Sequence, residues 1–515
     1  MSLNTQANLD ILVIDRKLLQ LSANLISPSL CAIFNESISK QFIHSDFKKA
    51  RVTPIFKNGF ESDINNHSDY RPISVIGHLA KIFEKLVKFQ LVAFLEERKL
   101  ISSDQSAYLR GHSTQTSLHR VIDDWYENVN EGEVTGACIF DISKCFDTIN
   151  HRNLLYKLSK YGIDGNELGW FKSYLTGRQQ SVICHNKLSS LQGLEYGVPQ
   201  GSVLGPFLFL LYINDIQNFS TNGCLINIFA DDLIVYTSDK CIHNLKARLQ
   251  KAVNSICDWY KNNRLKVNPS KSKLLVIGSS AQVKNITKEN FSISYDNKLI
   301  PLVTEATYLG LKITNNLSWD KHVIEHCKSI NYKIFQLKQL RRAGATRDLL
   351  LSVYKTFIQA KIDYGISIWG CSSEKNILKV QRKQNRAARI ILGNTDYRNT
   401  NGIDLVRQLG LMTVKERRNY FLSKLTCESI LGIAPDYLST RILMRVDIHG
   451  YQTRGANNDD VYPPTVKKSI FKRSLHYAGA IVWNGLPGYL KQCTNIDDFK
   501  RLYKECLVPI LHESA

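Results

Sequence analysis

Two adjacent aspartates, Asp231 and Asp232, interrupt an apolar run from Cys224 to Tyr236 whose composition is otherwise that of a buried β-strand. An ionised carboxylate is costly to bury unless it is paired or bound to a cation. The run is therefore predicted to reverse at the two charges and form a strand-turn-strand hairpin. A cation at the turn, with Mg²⁺ as the candidate because it prefers oxygen ligands, is one interpretation. An ordinary hairpin tip, where Asp is common, is the other.

A second apolar run, residues 137–140, ends at Asp141. A two-metal phosphoryl-transfer site needs carboxylates from at least two chain segments, because both ions must be clamped. Asp141 together with the pair at 231–232 meets that requirement. Asp141 could instead cap a helix that begins near Ser143, and Asp147, which lies beyond the apolar run, could be a cap or a surface charge.

The charge of the chain indicates an anionic partner. Lys and Arg number 67 against 46 Asp and Glu, which gives a formal net charge of +21. A surplus of this size points to nucleic acid or, less specifically, to an anionic membrane surface. No apolar stretch approaches the roughly 18 residues that a spanning helix needs, and the N-terminus lacks the pattern of a signal peptide. We expect an intracellular protein that does not enter membranes, in either the nucleus or the cytoplasm.

The 12 cysteines are scattered singly. They predict neither a disulfide framework nor a structural zinc site. Residues 10–50 have apolar positions at helical spacing, and an amphipathic helix is predicted from about Leu79 to Lys99. Strand-like and helical segments alternate irregularly to about Thr314, and the remainder is mainly helical. The sequence therefore predicts an α+β core followed by a helical C-terminal region.

Seven short segments of the chain carry recognisable motifs. They are Tyr70–Ser74, Gln105–Thr114, Phe140–Asp147, Gly197–Pro206, Phe229–Asp232, Leu265–Lys271 and Tyr308–Gly310. In content and order they resemble the reverse transcriptases of non-LTR (LINE-type, jockey-like) retrotransposons. One such motif alone would be weak evidence, whereas seven in order are strong.

The resemblance implies a right-hand polymerase with fingers, palm and thumb. On this basis the chain is predicted to divide into an N-terminal helical extension (1–50), fingers and palm (51–318), a helical thumb (319–395) and a C-terminal helical region of unknown role (396–515). The first motif has little sequence before it, so we expect an endonuclease to be supplied by a missing domain or in trans.

The resemblance also implies a chemistry, in which a DNA primer is extended with deoxynucleoside triphosphates on an RNA template. Asp141, Asp231 and Asp232 would bind two Mg²⁺ ions, and Lys271 would act as a general acid towards the pyrophosphate. A solvated surface lysine is the alternative for Lys271. Phe146 would lie beneath the sugar and exclude a 2′-hydroxyl, although it could also be a core aromatic.

Further residues are assigned to nucleotide and nucleic-acid binding. Arg71, Lys81 and Arg110 are candidate triphosphate cations, with exposed surface cations as the alternative. Gln200 can hydrogen-bond a base or sugar, and Gly201 permits close backbone approach. The segment Tyr308, Leu309 and Gly310 resembles the hairpin that grips the primer end. A cationic helix face is predicted to bind the nucleic-acid backbone through Lys379, Arg382, Lys383, Arg386 and Arg389.

The segment Gln105–Gly111 departs from the family pattern. Ala107 stands where the family has Gly, Leu109 stands where it has Arg, and Arg110 is one position out of step. This departure leaves open a catalytically decayed or domesticated nucleic-acid-binding relic as an alternative to an active reverse transcriptase. A different right-hand polymerase or an intron maturase is a separate alternative.

Overall fold

The computed structural model describes residues 14, 16–57, 63–221, 223–286, 290–448 and 459–507. Its strands are β1 (Lys49–Phe56), β2 (Tyr70–Val75), β3 (Val134–Phe140), β4 (Ile142–Ser143), β5 (Arg178–Cys184), β6 (Lys187–Leu188), β7 (Gln192–Leu194), β8 (Leu225–Phe229), β9 (Asp232–Asp239), β10 (Lys266–Val267), β11 (Lys273–Ile277), β12 (Ser294–Tyr295), β13 (Lys298–Leu299), β14 (Leu302–Val303), β15 (Glu305–Tyr308) and β16 (Leu311–Thr314). The helices among them are α1 (Arg16–Leu21), α2 (Ala23–Ser39), α3 (His78–Glu97), α4 (Thr114–Asn130), α5 (His151–Lys160), α6 (Gly165–Leu175), α7 (Gly205–Ile213), α8 (Ile242–Asn262) and α9 (Ser280–Lys284). The α+β prediction is confirmed.

The central sheet has the strand order β14-β11-β3-β9-β8. Its middle strand, β3, is buried at every position and pairs antiparallel with β9, so that Ala137 lies opposite Tyr236 and Phe140 opposite Leu233. Because side chains alternate across a strand, Ala137 joins one hydrophobic core and Cys138 joins the other. The sheet is thus covered on both faces, which holds the end of β3 in a fixed place.

The two cores are built from different parts of the chain. On one face, α7 and α8 pack against the sheet together with α5 and α6. On the other face, α4 supplies Leu118, Val121, Trp125 and further residues, and the first helices of the C-terminal half cover them. Helix α4 therefore lies between the sheet and the C-terminal half of the protein.

A second sheet, in which β1 is antiparallel to β2 and parallel to β5, lies next to the amphipathic helix α3. The N-terminal helices pack against the same core, since the rings of Phe34 and Phe83 stack with their centroids 4.3 Å apart. The predicted N-terminal extension thus shares a core with α3.

The C-terminal half is helical, as the sequence predicted. It contains α10 (Asp320–Arg342), α11 (Arg347–Val353), a π-helical segment (Tyr354–Gln359), α12 (Ala360–Asp363), α13 (Ile366–Trp369), α14 (Glu374–Leu392), α15 (Gly402–Gln408), α16 (Val414–Ile430), α17 (Asp436–Ser439), α18 (Arg445–Ile448), α19 (Leu475–Asn484), α20 (Gly488–Lys491) and α21 (Ile496–Leu507). Over the ranges that the structure describes, every helix is too short or too polar to cross a bilayer.

Candidate active site

The aspartate pair lies at a hairpin tip, as predicted. Strands β8 and β9 are antiparallel, and Phe229 pairs with Asp232 across a two-residue reversal formed by Ala230 and Asp231. Ala230 takes a left-handed backbone conformation with φ of 56°. Both aspartate side chains are exposed.

The strand register brings Asp141 to the same place. Strand β3 ends with Phe140 opposite Leu233, so the next residue, Asp141, comes opposite Asp232. The alternative helix after Asp141 is wrong, because residues 142–143 form strand β4 paired with β10. Cross-strand neighbours have side chains about 5 Å apart at their Cβ atoms. The three carboxylates therefore share one end of the central sheet.

Two residues that sequence reasoning missed fix the backbone of Asp141. Its amide donates to Ser272 Oγ at 3.1 Å, and its carbonyl accepts from the amide of Asn268 at 2.9 Å. Both belong to the turn between β10 and β11 that also carries Lys271, an exposed side chain. The composition of Asn268–Ser272 is typical of a turn, but only the fold shows which strand it holds.

The carboxylates repel one another. The pKa of Asp232 is raised to about 6, first by loss of solvation against the surrounding protein and then by the negative charges of Asp231 and Asp141. Within the described ranges, no three His, Cys, Asp or Glu side chains are arranged to hold a metal ion by themselves. Mg²⁺ usually takes only one or two carboxylates and completes its shell with water and substrate phosphates. An exposed, mutually repelling carboxylate set with room for other ligands fits such an ion.

The glycine-rich loop 197–205 contacts β2 and the segment 146–147, which follows closely after Asp141. The side-chain amide of Gln200 donates to Asp147 Oδ1 at 2.9 Å, so it is engaged within the protein and not turned freely towards a ligand. The backbone carbonyl of Gln200 accepts from the amide of Ser74 at 2.7 Å. Gly201 has φ of +125°, and a Cβ there would lie 2.3 Å from Ser74 O. Glycine is required at 201 because the loop presses directly on β2.

A buried carboxylate, Glu84, supports the same loop and was also missed from the sequence. Its oxygens accept from the amides of Val203 at 2.6 Å and Leu204 at 3.2 Å, and from the hydroxyl of Tyr174 at 2.8 Å. Burial raises the pKa of Glu84, while these hydrogen bonds oppose the shift. An acidic residue on an amphipathic helix gave no sequence signal that it would face inward.

Residues 105–112, which include the segment that departs from the family pattern, are termed the finger loop. Ala107 is buried, Leu109 is half-buried against a core, and Tyr108 and Arg110 are exposed. The amide of Ser106 donates to Ile228 O at 2.9 Å, which attaches the loop to β8. Partial loss of solvation, and then the charge of Asp231 at the hairpin tip, raise the pKa of Tyr108. The two unusual residues are thus accommodated by packing.

The other predicted nucleotide contacts lie on different elements. Arg71 is exposed on β2, and Lys81 is half-buried in the first turn of α3. Phe146 is half-buried, and its ring centroid lies 4.6 Å from that of Phe209 in α7. Phe146 follows closely after Asp141.

At the predicted primer grip, β15 and β16 form a hairpin whose first two motif residues face inward. Tyr308 is buried, and its hydroxyl accepts from Asn227 Nδ2 at 2.8 Å. Leu309 is buried, and its carbonyl accepts from the hydroxyl of Tyr364 at 2.6 Å. Only Gly310 is exposed, so a ligand at this hairpin would meet backbone and Gly310.

The structure exposes part of the predicted cationic face of α14. Arg382 and Arg386 are exposed, and Lys379 and Lys383 are half-buried. The prediction for Arg389 is wrong. Its guanidinium is buried and donates to Asn394 Oδ1, Asp396 O and Thr400 O, because the chain turns back over the end of the helix.

A largely antiparallel sheet with two aspartates at a hairpin tip and a third just after the adjoining strand, together with a nearby glycine-rich loop, defines the palm of a right-hand polymerase. Residues 55–313 match the family described as "Reverse transcriptase (RNA-dependent DNA polymerase)". The match covers half of the chain, and the protein belongs to the reverse transcriptase family. Membership of this family implies dependence on divalent metal ions.

The chain is similar to several named retrotransposon proteins. It is 29% identical over 396 residues to the probable RNA-directed DNA polymerase from transposon BS of Drosophila melanogaster, covering 75% of this chain and 43% of that protein. It is 27% identical over 384 residues to the RNA-directed DNA polymerase from mobile element jockey of Drosophila funebris, covering 73% of this chain and 41% of that protein. The chain thus spans less than half the length of these curated relatives. The resemblance to non-LTR elements is confirmed.

Among solved structures, apo telomerase from Candida tropicalis matches with a TM-score of 0.41 and 13% identity, over 81% of this chain and 68% of that chain.

Proposed function

We propose that this chain is an RNA-directed DNA polymerase of a non-LTR retrotransposon, which extends a DNA primer with deoxynucleotides on an RNA template. The observation that carries the proposal is the convergence of Asp141, Asp231 and Asp232 at one end of the palm sheet in a reverse transcriptase chain. The relatives named as RNA-directed DNA polymerases support it. A decayed relic is not favoured, because the altered residues of the finger loop pack without disturbing the three aspartates.

Asp141, Asp231 and Asp232 would hold two Mg²⁺ ions. When bound, these ions would neutralise the triphosphate and activate the primer 3′-hydroxyl. The backbone contacts from Ser272 and Asn268 keep Asp141 in place, so little reorganisation is needed when substrate arrives. The neighbouring Lys271 donates a proton to the leaving pyrophosphate.

The residues around the aspartates bind the nucleotide and select its sugar. Arg71, Lys81 and Arg110 bind the triphosphate, Arg through its planar fork and Lys as a point charge. Phe146 lies beneath the sugar and clashes with a 2′-hydroxyl, with Phe209 behind it as support. Gln200 acts by positioning Asp147, and Gly201 allows the loop to approach the templating base pair closely.

The domain assignment that accompanies this function is the one expected from the sequence. Residues 51–318 form fingers and palm, 319–395 form the thumb, and Gly310 with the backbone of Leu309 contacts the primer end. Lys379, Arg382, Lys383 and Arg386 bind the backbone of the template-primer duplex.

A primer-extension assay with an RNA template, a DNA primer, deoxynucleotides and Mg²⁺ tests the proposal. We expect product from the unmodified chain and none from Asp231→Ala. Glu195→Gln, which removes an exposed carboxylate between β7 and α7, is the matched control and should extend normally. Absence of product from the unmodified chain, or equal product from Asp231→Ala, would overturn the proposal.

A further inference from the structure

The finger loop touches two parts of the molecule. One is the palm hairpin, through the hydrogen bond from Ser106 to Ile228. The other is the C-terminal region, to which no chemistry has been assigned. The finger loop carries Arg110, an exposed cation that lies one position after the place where the family has arginine. The position of the loop therefore sets the position of Arg110.

Tyr437, in the short helix α17, is the centre of the second contact. Its hydroxyl lies 3.2 Å from Ser106 Oγ and 3.5 Å from His112 Nδ1, residues near the two ends of the finger loop. The hydroxyl also donates to Thr116 Oγ1 at 3.3 Å. The Tyr437 hydroxyl thus contacts residues near both ends of the finger loop.

Thr116 is itself part of the start of helix α4. Its hydroxyl accepts from the amide of Ser113 at 2.9 Å, and Ser113 Oγ accepts from the amide of Thr116 at 3.1 Å, which forms a capping box. The guanidinium of Arg120, one turn further on, lies 5.0 Å from the centre of the Tyr437 ring. Tyr437 therefore fixes the junction between the finger loop and α4.

A backbone contact adds to the side-chain contacts. Gly111 has φ of +76°, and a Cβ there would lie 2.5 Å from Ile433 O, in the connection between α16 and α17. Within the same loop, Tyr108 has a left-handed conformation with φ of 61°. Such strain in a bulky residue persists only where the surroundings hold it, and it is common at functional sites.

The C-terminal region is fixed to α4 along the length of that helix. Arg441 forms an ion pair with Asp124, and the amide of Leu475 donates to Asp123 Oδ1 at 3.2 Å. At the far end of α4, the amide of Lys467 donates to Asn130 Oδ1 at 2.9 Å. Because α4 follows directly after the finger loop, the position of Tyr437 relative to the loop is set by a rigid support.

We propose that Tyr437 is a positioning residue for nucleotide binding, through which the C-terminal region holds the finger loop so that Arg110 meets the triphosphate. This inference rests on the proposed function, because it takes Arg110 to be a triphosphate ligand. It gives the C-terminal region a role in nucleotide affinity and not in the chemical step.

Steady-state primer extension with Tyr437→Ala and Tyr437→Phe tests this role. We expect Tyr437→Ala to raise KM for the deoxynucleotide about tenfold, with kcat nearly unchanged. A rise of this size corresponds to the loss of one hydrogen bond between Arg110 and the charged triphosphate. Tyr437→Phe keeps the ring beside Arg120 and should give a smaller rise. Tyr489→Phe, an exposed tyrosine elsewhere in the C-terminal region, is the control and should behave as the unmodified chain.

A double-mutant cycle shows whether the effect passes through Arg110. If it does, Tyr437→Ala should add no further rise in KM to the rise caused by Arg110→Ala. Additive effects, or an unchanged KM in both Tyr437 variants, would overturn the inference. A lower kcat at unchanged KM would do the same.

Hydrogen–deuterium exchange gives a readout that needs no polymerase activity. In Tyr437→Ala and Tyr437→Phe, amides of residues 106–112 should exchange faster than in the unmodified chain, while those of β9 should keep their rate. Unchanged exchange in the finger loop would overturn the positioning role. If the unmodified chain makes no product, the proposed function fails separately, and exchange still decides whether Tyr437 holds the loop.

Discussion

At the scale of single residues, the central feature is the mutual charge repulsion of the three palm aspartates. The pKa of Asp232 is raised to about 6, so the folded protein binds this proton more tightly than an unfolded chain does. The stabilisation linked to that proton is complete below the unfolded value, near 4. It is lost as the pH rises through about 6. At pH 8 the metal-free protein therefore carries the full cost of the poorly solvated Asp232 charge and of its repulsion by Asp231 and Asp141.

Asp232→Asn should remove this repulsion. In EDTA at about pH 8, we expect its Tm to exceed that of the unmodified chain by on the order of 1 °C, a small effect because the side chain is exposed and screened. The difference should shrink as the pH falls below 6. Differential scanning fluorimetry over this pH range measures it, with Glu195→Gln as the variant that should show no shift. A lower Tm for Asp232→Asn at pH 8 would contradict the account.

Phe146 gives a second prediction at this scale. Phe146→Val should admit ribonucleotides, since a smaller side chain leaves space for the 2′-hydroxyl. A steric discrimination of this kind is worth about 1–3 kcal/mol, or about 10- to 200-fold in relative kcat/KM. The measurement is the ratio of kcat/KM for a ribonucleotide to that for the matching deoxynucleotide. If Phe146 only supports Phe209 in the core, both values will fall together and the ratio will stay constant.

At the scale of elements, the sequence predicted those features that depend on local pattern. The hairpin at 231–232 follows from the cost of burying charge, and α3 follows from its apolar spacing. Contacts between distant segments could not be predicted. Glu84 and Arg389 both have the sequence appearance of surface residues, yet each is buried because another part of the chain folds over it and satisfies its hydrogen bonds. The support of Asp141 by Ser272 is invisible for the same reason.

The glycine-rich loop offers a test at the element scale. Gly201→Ala places a methyl group 2.3 Å from a backbone oxygen at a left-handed position, so the loop or β2 must move. We expect a loss of more than about 1 kcal/mol in the free energy of unfolding, together with reduced primer extension. Gly193→Ala, in β7, has nothing within 4 Å of the added carbon and should change neither quantity. Chemical denaturation of both variants makes the comparison, and equal stabilities would show that the contact at Ser74 is not tight.

At the scale of the whole molecule, the C-terminal half contacts both the primer-grip hairpin and the finger loop. Tyr364, in the proposed thumb, bonds the backbone of the primer-grip hairpin, and Tyr437 bonds the finger loop. Helix α4 contacts both neighbourhoods, since its buried His119 lies 2.7 Å from Ser367 in α13, which follows Tyr364, and its Thr116 accepts from Tyr437. The proposed primer grip and the finger loop are therefore both connected to elements that pack on α4.

Some of the cations behind the net charge of +21 lie exposed on α14. Arg382 and Arg386 are exposed on α14, and we propose that they contact phosphates of the template-primer duplex. Each phosphate contact releases counterions, so log K falls with log salt by about 0.9 per contact on a duplex. The double variant Arg382→Gln, Arg386→Gln should bind more weakly at low salt and show a salt slope smaller by about 2.

Arg389 supplies the internal control for this measurement. Its guanidinium donates hydrogen bonds to Asn394, Asp396 and Thr400 within the protein, and the residue is buried, so it does not face an extended phosphate backbone. Arg389→Gln removes the same charge from the same helix, so it should lower thermal stability and leave the salt slope unchanged. Fluorescence anisotropy of a labelled template-primer between about 50 and 200 mM salt distinguishes the variants, since a shared reduction of slope would mean that general charge, and not the exposed face of α14, governs binding.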